Sequence, residues 1–368
     1  MSRAALPSLQ WVIGDGSGEQ ENGVQRGARI AGWGKYIPER VLTNHDLERM
    51  VDTSDAWITS RTGIRERRLV ADHESTASMA LAASQQALQQ ANVDGSTLQL
   101  IIVATVSPDY QFPAVASLLQ AALGASAGAF DLQAGCSGFV YALTTGLQFI
   151  RSGVYDRVLV AGGDTLSRLM DWTDRSTCIL FGDGAGAVYL EAVDGPGDFL
   201  SSELGSEGSN PAALYMDSVA RPRTACLPTP GISVAASLPA LAEEARYVRM
   251  DGREVFRFAS RILGDAVRRV TEAAGWALDD VDALIPHQAN LRIIQAASKA
   301  LGIPLERFYV NVDRYGNTSN GSVPVALCEA VEAGAVRQGS RVVLASFGAG
   351  LSWAATAVRW GGSEGMRG

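Results

Sequence analysis

The residue with the clearest chemical potential in this chain is Cys136, which lies in the run AGCSGFVYAL at residues 134–143. A short β-type run precedes it, and a stretch that is apolar on nearly every side continues to Ile150. Because a helix that is apolar all round is normally buried, the pattern predicts a thiol at the first turn of a buried helix. The unpaired N–H groups and the dipole at that end favour a thiolate, and hence a nucleophile. A free cysteine is also often a small buried apolar residue, so the local pattern leaves both interpretations open.

A reactive thiol commonly works with a histidine, and this chain has three histidines. His45 and His73 lie in polar contexts and are predicted to face solvent. His287 directly follows an apolar strand at 283–285, and such strand ends carry sites in α/β folds. A lone histidine there is more often structural than catalytic. Together with a cysteine at a helix start and an asparagine in a matching loop, it favours a catalytic set.

The elements that position these residues occur twice, because the second half of the chain repeats the pattern of the first. The offset of roughly 180 residues is far longer than a solenoid repeat and indicates a duplicated domain. The repeated elements include the helices 78–91 and 255–274 and the closing strands 157–161 and 341–345. The loop around Cys136 then corresponds to the loop 315–322, which contains Asn317. Two such loops related by a pseudo-twofold axis can face one another across one central site.

Composition limits the class of protein and its partners. The 368 residues are 47% hydrophobic and 19% charged, which is typical of a globular chain of one large domain or two medium ones. The net charge of -8 argues against nucleic acid as a partner. The four cysteines are scattered without a CxxC pair, which argues against a disulfide scaffold or a zinc site and favours a reducing cytosol. No apolar run approaches the roughly 18–20 residues of a membrane span, and no secretory signal is apparent. We therefore expect a cytoplasmic protein without membrane insertion.

The alternation of helices with short apolar strands predicts the α/β class, with buried mixed or parallel sheets that carry helices on their faces. Residues 14–27 are rich in glycine and polar side chains. We therefore interpret residues 1–27 as a flexible N-terminal extension. The two halves are predicted at 28–200, which contains the cysteine, and at 201–368, which contains the histidine and the asparagine.

Six motifs in order along the chain carry a resemblance to a known family. They are TSDAWITSRTGIRER at 53–67, AGCSG at 134–138, FGDGAGA at 181–187, PHQANLR at 286–292, GNTS at 316–319 and FGAG at 347–350. From about residue 28 to residue 360, the chain resembles β-ketoacyl-acyl-carrier-protein synthase III, the initiating condensing enzyme of type II fatty acid synthesis. The resemblance implies a thiolase-like fold, in which two duplicated halves form an αβαβα layered sandwich.

The resemblance also implies a catalytic set of Cys136, His287 and Asn317. The thiol would take the acyl group from an acyl-CoA primer, and the backbone N–H groups of Cys136 and Ala349 would stabilise the oxyanion. Malonyl-acyl carrier protein would then bind, and His287 and Asn317 would donate hydrogen bonds to its thioester carbonyl while CO2 leaves. The product would be a β-ketoacyl thioester. No metal or other cofactor is implied, since acyl-CoA is a substrate.

Binding residues carry over from the same resemblance. Trp57 and Arg175 would sandwich the adenine of CoA, because an aromatic ring beside a guanidinium plane suits a purine. The other implied CoA contacts are Thr53 and Arg61 at the nucleotide end and Asn290 at the pantetheine arm. Phe347 would line the acyl pocket. Phe112 would reach the acyl pocket of a neighbouring subunit, which implies a homodimer.

A basic stripe recurs at intervals of four residues on one predicted helix, at Arg253, Arg257 and Arg261. Such a stripe is usually only a solvated face. Because the resemblance implies an acidic carrier protein as a partner, we interpret the stripe as its docking site, extended by Arg292 and Lys299.

Alternative functions remain open at this stage. The order Cys, His, Asn also describes papain-like proteases, but the sequence around the cysteine differs from theirs and their fold has no duplicated halves. The stronger alternative is a specialised relative of secondary metabolism that forms a polyketide, a quinolone or an ester. Two departures from the family pattern keep it open. Residues 217–247 are longer than the family core, and Asn320 and Gly321 stand where the family has small apolar residues.

Overall fold

The computed structural model describes residues 26–218 and 246–362. Its strands are β1 (Arg26–Tyr36), β2 (Arg40–Thr43), β3 (Glu66–Leu69), β4 (Leu100–Ala104), β5 (Gly128–Leu132), β6 (Arg157–Thr165), β7 (Asp183–Asp194), β8 (Phe199–Ser206), β9 (Leu214–Tyr215), β10 (Arg249–Met250), β11 (Ala283–Pro286), β12 (Arg341–Gly348) and β13 (Ser352–Arg359). Its helices are α1 (Asn44–Leu47), α2 (Asp55–Thr62), α3 (Thr76–Ala91), α4 (Val115–Ala122), α5 (Gly138–Arg151), α6 (Gly252–Ala273), α7 (Leu291–Leu301), α8 (Val312–Tyr315) and α9 (Ser322–Glu332).

Two mixed sheets form the frame. The first has the strand order β1-β7-β6-β4-β5, and the second has the order β11-β12-β13-β8. Strand β4 pairs in parallel with both β5 and β6, and every one of its residues is buried. This accounts for its continuous apolar sequence, since a parallel strand covered on both faces needs apolar side chains on both.

The sheets and helices stack in five layers. Helices α5 and α9 lie between the two sheets, and their apolar residues share one core with residues of both sheets. Helices α3 and α4 cover the outer face of the first sheet, while α6 and α7 cover the outer face of the second. The predicted αβαβα sandwich is therefore confirmed, and the apolar surround of α5 follows from its place in the middle layer.

The predicted boundaries differ from the structure in detail. Strand β1 begins at Arg26, two residues before the predicted start of the first half. The predicted division at residue 200 falls inside β8, which pairs with β13 of the second sheet. Most of the predicted insertion 217–247 and most of the predicted extension 1–27 lie outside the described residues.

Candidate active site

Two loops meet at the start of α5, and two glycines let them approach. Gly135 has a φ of +54°, and a Cβ added there would lie 2.7 Å from the backbone nitrogen of Ala349. A Cβ added at Gly348 would lie 2.3 Å from the backbone nitrogen of Cys136. The hydroxyl of Ser352 lies 2.8 Å from the carbonyl oxygen of Ala134 and 2.9 Å from that of Ala349, so it ties the two loops together. The backbone amides of Cys136 and Ala349 are therefore close neighbours.

The side chain of Cys136 opens into a cavity of about 900 Å³. Its walls are largely apolar; they include Phe181 of the motif at 181–187 and residues that the sequence did not single out, Leu166, Leu169, Tyr215 and Val248. These last residues come from separate segments with ordinary apolar patterns, so nothing local marked them. Their arrangement can hold an acyl chain beside the thiol.

Of the two phenylalanines expected at acyl pockets, Phe347 lies inside the chain and Phe112 lies at its surface. Phe347 is buried but does not line the cavity; its ring packs edge-on against the ring of His287, with the centroids 5.1 Å apart. This contact fixes the orientation of the histidine ring, and the role of Phe347 at the acyl pocket stays a prediction. Phe112 is 83% exposed beside the exposed Tyr110, so it projects from the surface of its own chain.

Burial keeps the thiol of Cys136 protonated. Desolvation raises its pKa from 9.0 to about 12; the nearby Ser319 side chain lowers it, and the charge of Asp164 raises it. Desolvation is the largest cause of this rise, and it acts against the helix N-terminus, which favours the anion. The thiolate that the position of Cys136 suggested is therefore not the resting state.

A buried carboxylate network lies beneath the cysteine loop. Asp164 is fully buried and accepts hydrogen bonds from side chains and backbone amides of residues 105–107. It also accepts from the backbone N–H and the side-chain amide of Asn320, at 3.0 and 2.8 Å. The side chain of Asn320 packs close to Gly138 and does not line the cavity. The departure from the family pattern at this position therefore serves the packing under the thiol, and the acyl cavity is not changed by it.

Asn317 is held with its amide group oriented. Its backbone N–H donates to Leu180 at 2.9 Å and its carbonyl accepts from Gly182 at 3.0 Å, which joins its loop to the first half of the chain. Its side-chain Oδ1 accepts from the backbone N–H of Ser319 at 2.9 Å. Because a backbone N–H can only donate, the oxygen must occupy that end, and the NH2 group is left to donate on the other side.

His287 follows β11 and is 1% exposed. Its backbone N–H donates to Ala345, and its Nδ1 lies 2.6 Å from the hydroxyl oxygen of Ser322. Desolvation lowers the pKa of the ring from 6.5 to about 3. The imidazole is therefore neutral throughout the physiological range.

Short contacts bring the three predicted catalytic residues to one place. Phe347, which packs on His287, is followed by Gly348 against the backbone of Cys136. Ser319, which orients Asn317, also lines the cavity beside Cys136. Cys136 thus lines the cavity, and His287 and Asn317 of the second half are each linked to its loop through one intermediate residue.

The residues expected to bind CoA also lie together, at the junction of α2 and α7. The guanidinium of Arg175 stacks over the ring of Trp57 at 4.8 Å and pairs with Asp52 at 3.2 Å. A purine between ring and guanidinium would need about 7 Å, two contacts of roughly 3.5 Å each. The predicted clamp is therefore closed in this structure, and Arg175 must move before a purine can enter.

The other three expected CoA contacts lie nearby. The side chain of Asn290 caps α7 by accepting from Arg292 at 2.8 Å and donates to the carbonyl of Arg61 at 3.2 Å. The hydroxyl oxygen of Thr53 is buried and has no hydrogen-bond partner within the described residues. Asn290 thus already has a structural role, whereas the hydroxyl of Thr53 is unpaired within the described residues and closed off from solvent.

The predicted basic stripe is exposed on α6, at Arg253, Arg257 and Arg261. Arg292 on α7 stacks over Phe256 of α6 at 5.5 Å, so the two helices share one surface. Lys299 is exposed farther along α7. Within the described part of the chain, no helix is long and apolar enough to cross a membrane, and no cluster of His, Cys, Asp and Glu could hold a metal ion.

Comparisons with known proteins agree with this arrangement. A family model of 3-oxoacyl-[acyl-carrier-protein] synthase III matches residues 130–208, and a model of the C-terminal part of that protein matches residues 271–360. The β-ketoacyl-[acyl-carrier-protein] synthase III of Symbiobacterium thermophilum is 51% identical over 333 residues, which cover 90% of this chain and 98% of the relative.

Solved structures are similar over the same length. The synthase III structure from Aquifex aeolicus is 44% identical with a TM-score of 0.82, covering 91% of this chain and 100% of the relative. The one from Thermus thermophilus is also 44% identical with a TM-score of 0.84, covering 91% of this chain and 99% of the relative.

Proposed function

This chain belongs to the β-ketoacyl-[acyl-carrier-protein] synthase III family of condensing acyltransferases, which initiate fatty acid synthesis, and we propose that Cys136, His287 and Asn317 carry its reaction. The substrates are an acyl-CoA primer and malonyl-acyl carrier protein. The observation that carries this proposal is a thiol in the wall of an apolar cavity, in a loop that contacts second-half segments holding two oriented side chains, His287 and Asn317.

The first half-reaction is acyl transfer to the thiol. The sulfur of Cys136 attacks the thioester carbon, and the oxyanion accepts hydrogen bonds from the backbone amides of Cys136 and Ala349. The thiol proton leaves with the CoA sulfur, so one thioester replaces another. Because the thiol is protonated at rest, the charge develops only during the attack, where the two amides stabilise it.

The second half-reaction is decarboxylative condensation. Malonyl-acyl carrier protein loses CO2, and the electron pair of the broken bond forms an enolate at the thioester. The Nε2–H of His287 and the NH2 group of Asn317 donate to the enolate oxygen. The enolate carbon attacks the acyl-Cys, and the released sulfur takes up a proton. A neutral imidazole suits this role, since with its pKa lowered to about 3 the ring takes up no second proton near neutral pH and can donate a hydrogen bond through its one N–H.

Intact-mass measurement of the full chain after mixing with a panel of acyl-CoAs tests the first step. We expect one added acyl group in the wild type and in the Cys178→Ala control, which changes a buried cysteine outside the cavity. We expect none in Cys136→Ala. Acylation of Cys136→Ala at another residue would contradict the assignment.

Addition of malonyl-acyl carrier protein to the acylated enzyme tests the second step. We expect His287→Ala and Asn317→Ala to reduce condensation by about 100-fold or more, the usual effect of losing one such donor, while acylation changes much less. Acylation without any β-keto product in the wild type would instead support a plain acyltransferase. Equal loss of both half-reactions in the two variants would contradict their assigned role.

We also propose that CoA enters at the junction of α2 and α7, with its adenine between Trp57 and Arg175. The stacked pair and the unpartnered hydroxyl of Thr53 support this entrance, with Arg61 at the nucleotide end. Asn290 would reach the pantetheine arm only if it gave up its contacts to Arg61 and Arg292.

For the carrier protein, we propose docking on the basic patch, which comprises Arg253, Arg257, Arg261, Arg292 and Lys299. Arg257→Glu is expected to raise KM for malonyl-acyl carrier protein several-fold and to leave acylation by acyl-CoA unchanged. Arg337→Glu is the matched control, because Arg337 is exposed in the connection between α9 and β12, away from the patch. The same change in KM for both variants would show a general charge effect and contradict docking at this patch.

Phe112 is proposed to insert into the acyl cavity of a second copy of this chain. Its 83% exposure next to the exposed Tyr110 gives the loop an apolar tip. Phe112→Ala is expected to change the chain-length preference in the acylation assay, and Phe112→Asp to reduce dimer formation in sedimentation experiments. A wild-type chain that sediments as a monomer at assay concentration would refute this role.

A further inference from the structure

The imidazole of His287 has one hydrogen-bonding neighbour at its Nδ1, the hydroxyl of Ser322. The Nδ1 to Oγ distance is 2.6 Å. Ser322 is the first residue of α9 and is 2% exposed, while His287 is 1% exposed. The contact is therefore shielded from water. The shared proton is covalently bound either to Nδ1 of His287 or to the Ser322 oxygen, and the other atom accepts the hydrogen bond.

The hydrogen-bond donors around Ser322 decide where that proton lies. The backbone N–H of Gln288 donates to the Ser322 oxygen at 3.2 Å, and a backbone amide can act only as a donor. If Nδ1–H also donated to this oxygen, the hydroxyl proton would have no acceptor among the described residues. If the hydroxyl donates to Nδ1 instead, every group is paired. Since buried polar groups are nearly always paired, the hydroxyl is the donor.

We propose that Ser322 is a positioning residue that holds His287 as the tautomer with its proton on Nε2. The inference rests on the proposed function of His287 as a hydrogen-bond donor. A ring with its proton on Nδ1 would present a lone pair to the enolate oxygen and repel it. The serine thus selects the one neutral form of the ring that can stabilise negative charge.

The effect of losing this selection follows from the value of the donor. Removal of one preorganised donor to an oxyanion costs about 100- to 1,000-fold in rate. In Ser322→Ala, Nδ1 has lost its proton donor, and Gln288 has lost its acceptor. The ring can then take either tautomer. The condensation rate is therefore expected to fall by about 10- to 100-fold, less than when the donor is removed altogether.

A direct test reads the tautomer by ¹⁵N NMR on the full chain labelled at histidine. The chain has three histidines, and His45 and His73 are exposed, so the buried ring of His287 is distinguishable by its lack of response to pH. We expect the proton on Nε2 in the wild type and a mixture or the reverse form in Ser322→Ala. A wild-type ring protonated on Nδ1 would overturn the proposal.

A kinetic test separates positioning from general stabilisation. Ser322→Ala is expected to acylate Cys136 within about twofold of the wild-type rate and to lose condensation, while Ser322→Thr, which keeps the hydroxyl, recovers it. The matched control is Ser84→Ala on α3, where a fully buried serine loses a 2.7 Å bond to Ala80 far from the site. Equal loss of both half-reactions in Ser322→Ala, with an unchanged tautomer, would overturn the proposal.

The outcome remains decisive if a variant fails. Should Ser322→Ala not fold, the wild-type tautomer alone supports or refutes the selection. Should His287→Ala keep full condensation activity, the proposed function of His287 fails, while the tautomer measurement still reports on Ser322. The two failures are therefore distinguishable.

Discussion

The contact between the loops at Gly135 and Ala349 makes a quantitative prediction about the oxyanion site. Gly135 has a φ of +54°, and a Cβ there would lie 2.6 Å from the carbonyl oxygen and 2.7 Å from the nitrogen of Ala349. Both are backbone atoms, so no side chain can turn aside. In Gly135→Ala, the loop 348–350 must therefore move away from Cys136.

The size of the effect follows from two separate costs. A left-handed alanine costs roughly 1–2 kcal/mol of unfolding free energy. The steric contact adds a displacement on the order of 1 Å of the Ala349 amide, and a misplacement of that size at a catalytic group costs about 100-fold in rate. We therefore expect the acylation of Cys136 to slow by about two orders of magnitude.

A control at the other end of α5 separates these costs. Gly153 has a φ of +77°, and a Cβ there would meet no atom within 4 Å. Gly153→Ala is expected to lose a similar unfolding free energy in urea titration and to acylate at the wild-type rate. Gly348→Ala tests the contact from the other side, because its Cβ would meet the nitrogen of Cys136 at 2.3 Å and its φ is not positive. If Gly135→Ala acylated as fast as Gly153→Ala, the argument for paired amides would be refuted.

Three further predictions concern ionisation and CoA entry. The pKa of the His287 ring is about 3 in the folded chain and 6.5 in the unfolded chain, so the free energy of unfolding falls as the pH drops below 6.5. At pH 5 the expected loss is about 2 kcal/mol, measured by urea titration. If His287→Gln showed the same pH dependence as the wild type, the prediction would be contradicted. Because the pKa of Cys136 is about 12, its alkylation by iodoacetamide should rise about tenfold per pH unit up to pH 9, and a plateau below pH 8 would show a low pKa instead. Asp52→Asn frees Arg175 and should lower KM for acyl-CoA at most a few-fold, since exposed ion pairs contribute about 0–1 kcal/mol; a raised KM would contradict the closed clamp.

The parts of this fold that could be predicted are those that depend on local pattern and on repetition. The apolar surround of α5 indicated its burial, and the structure confirms it between two sheets. The duplication placed the loop of Asn317 opposite the loop of Cys136 without any contact information. Gly135 and Gly348 belong to motifs that the sequence displays, and the structure adds the reason, since a Cβ at either position would collide with backbone.

Other features depend on contacts between distant parts of the chain, which no local pattern encodes. The bond between Asp164 and Asn320 joins residues 156 positions apart, so the sequence does not reveal that this departure from the family pattern belongs to a buried hydrogen-bond network. The stacking of Arg175 on Trp57 closes a clamp that the resemblance implied was open. The side chain of Phe347 in β12 packs against the ring of His287, and the sequence of the strand alone does not reveal this contact.

The protonation state of Cys136 could not be predicted from its position at the start of a helix alone. The dipole of α5 acts on Cys136 within one turn, but desolvation depends on everything that surrounds the sulfur and outweighs it. The same burial lowers the pKa of His287, so the pair is a neutral thiol and a neutral imidazole. The Cys–His pair of a papain-like protease instead consists of a thiolate beside a positively charged imidazolium ring. In the reaction proposed for this chain, negative charge appears first on a thioester oxygen and then on an enolate oxygen, and both times it would meet uncharged N–H donors. Two separate sets of uncharged donors can therefore stabilise two successive anions while the charge of the site itself stays the same.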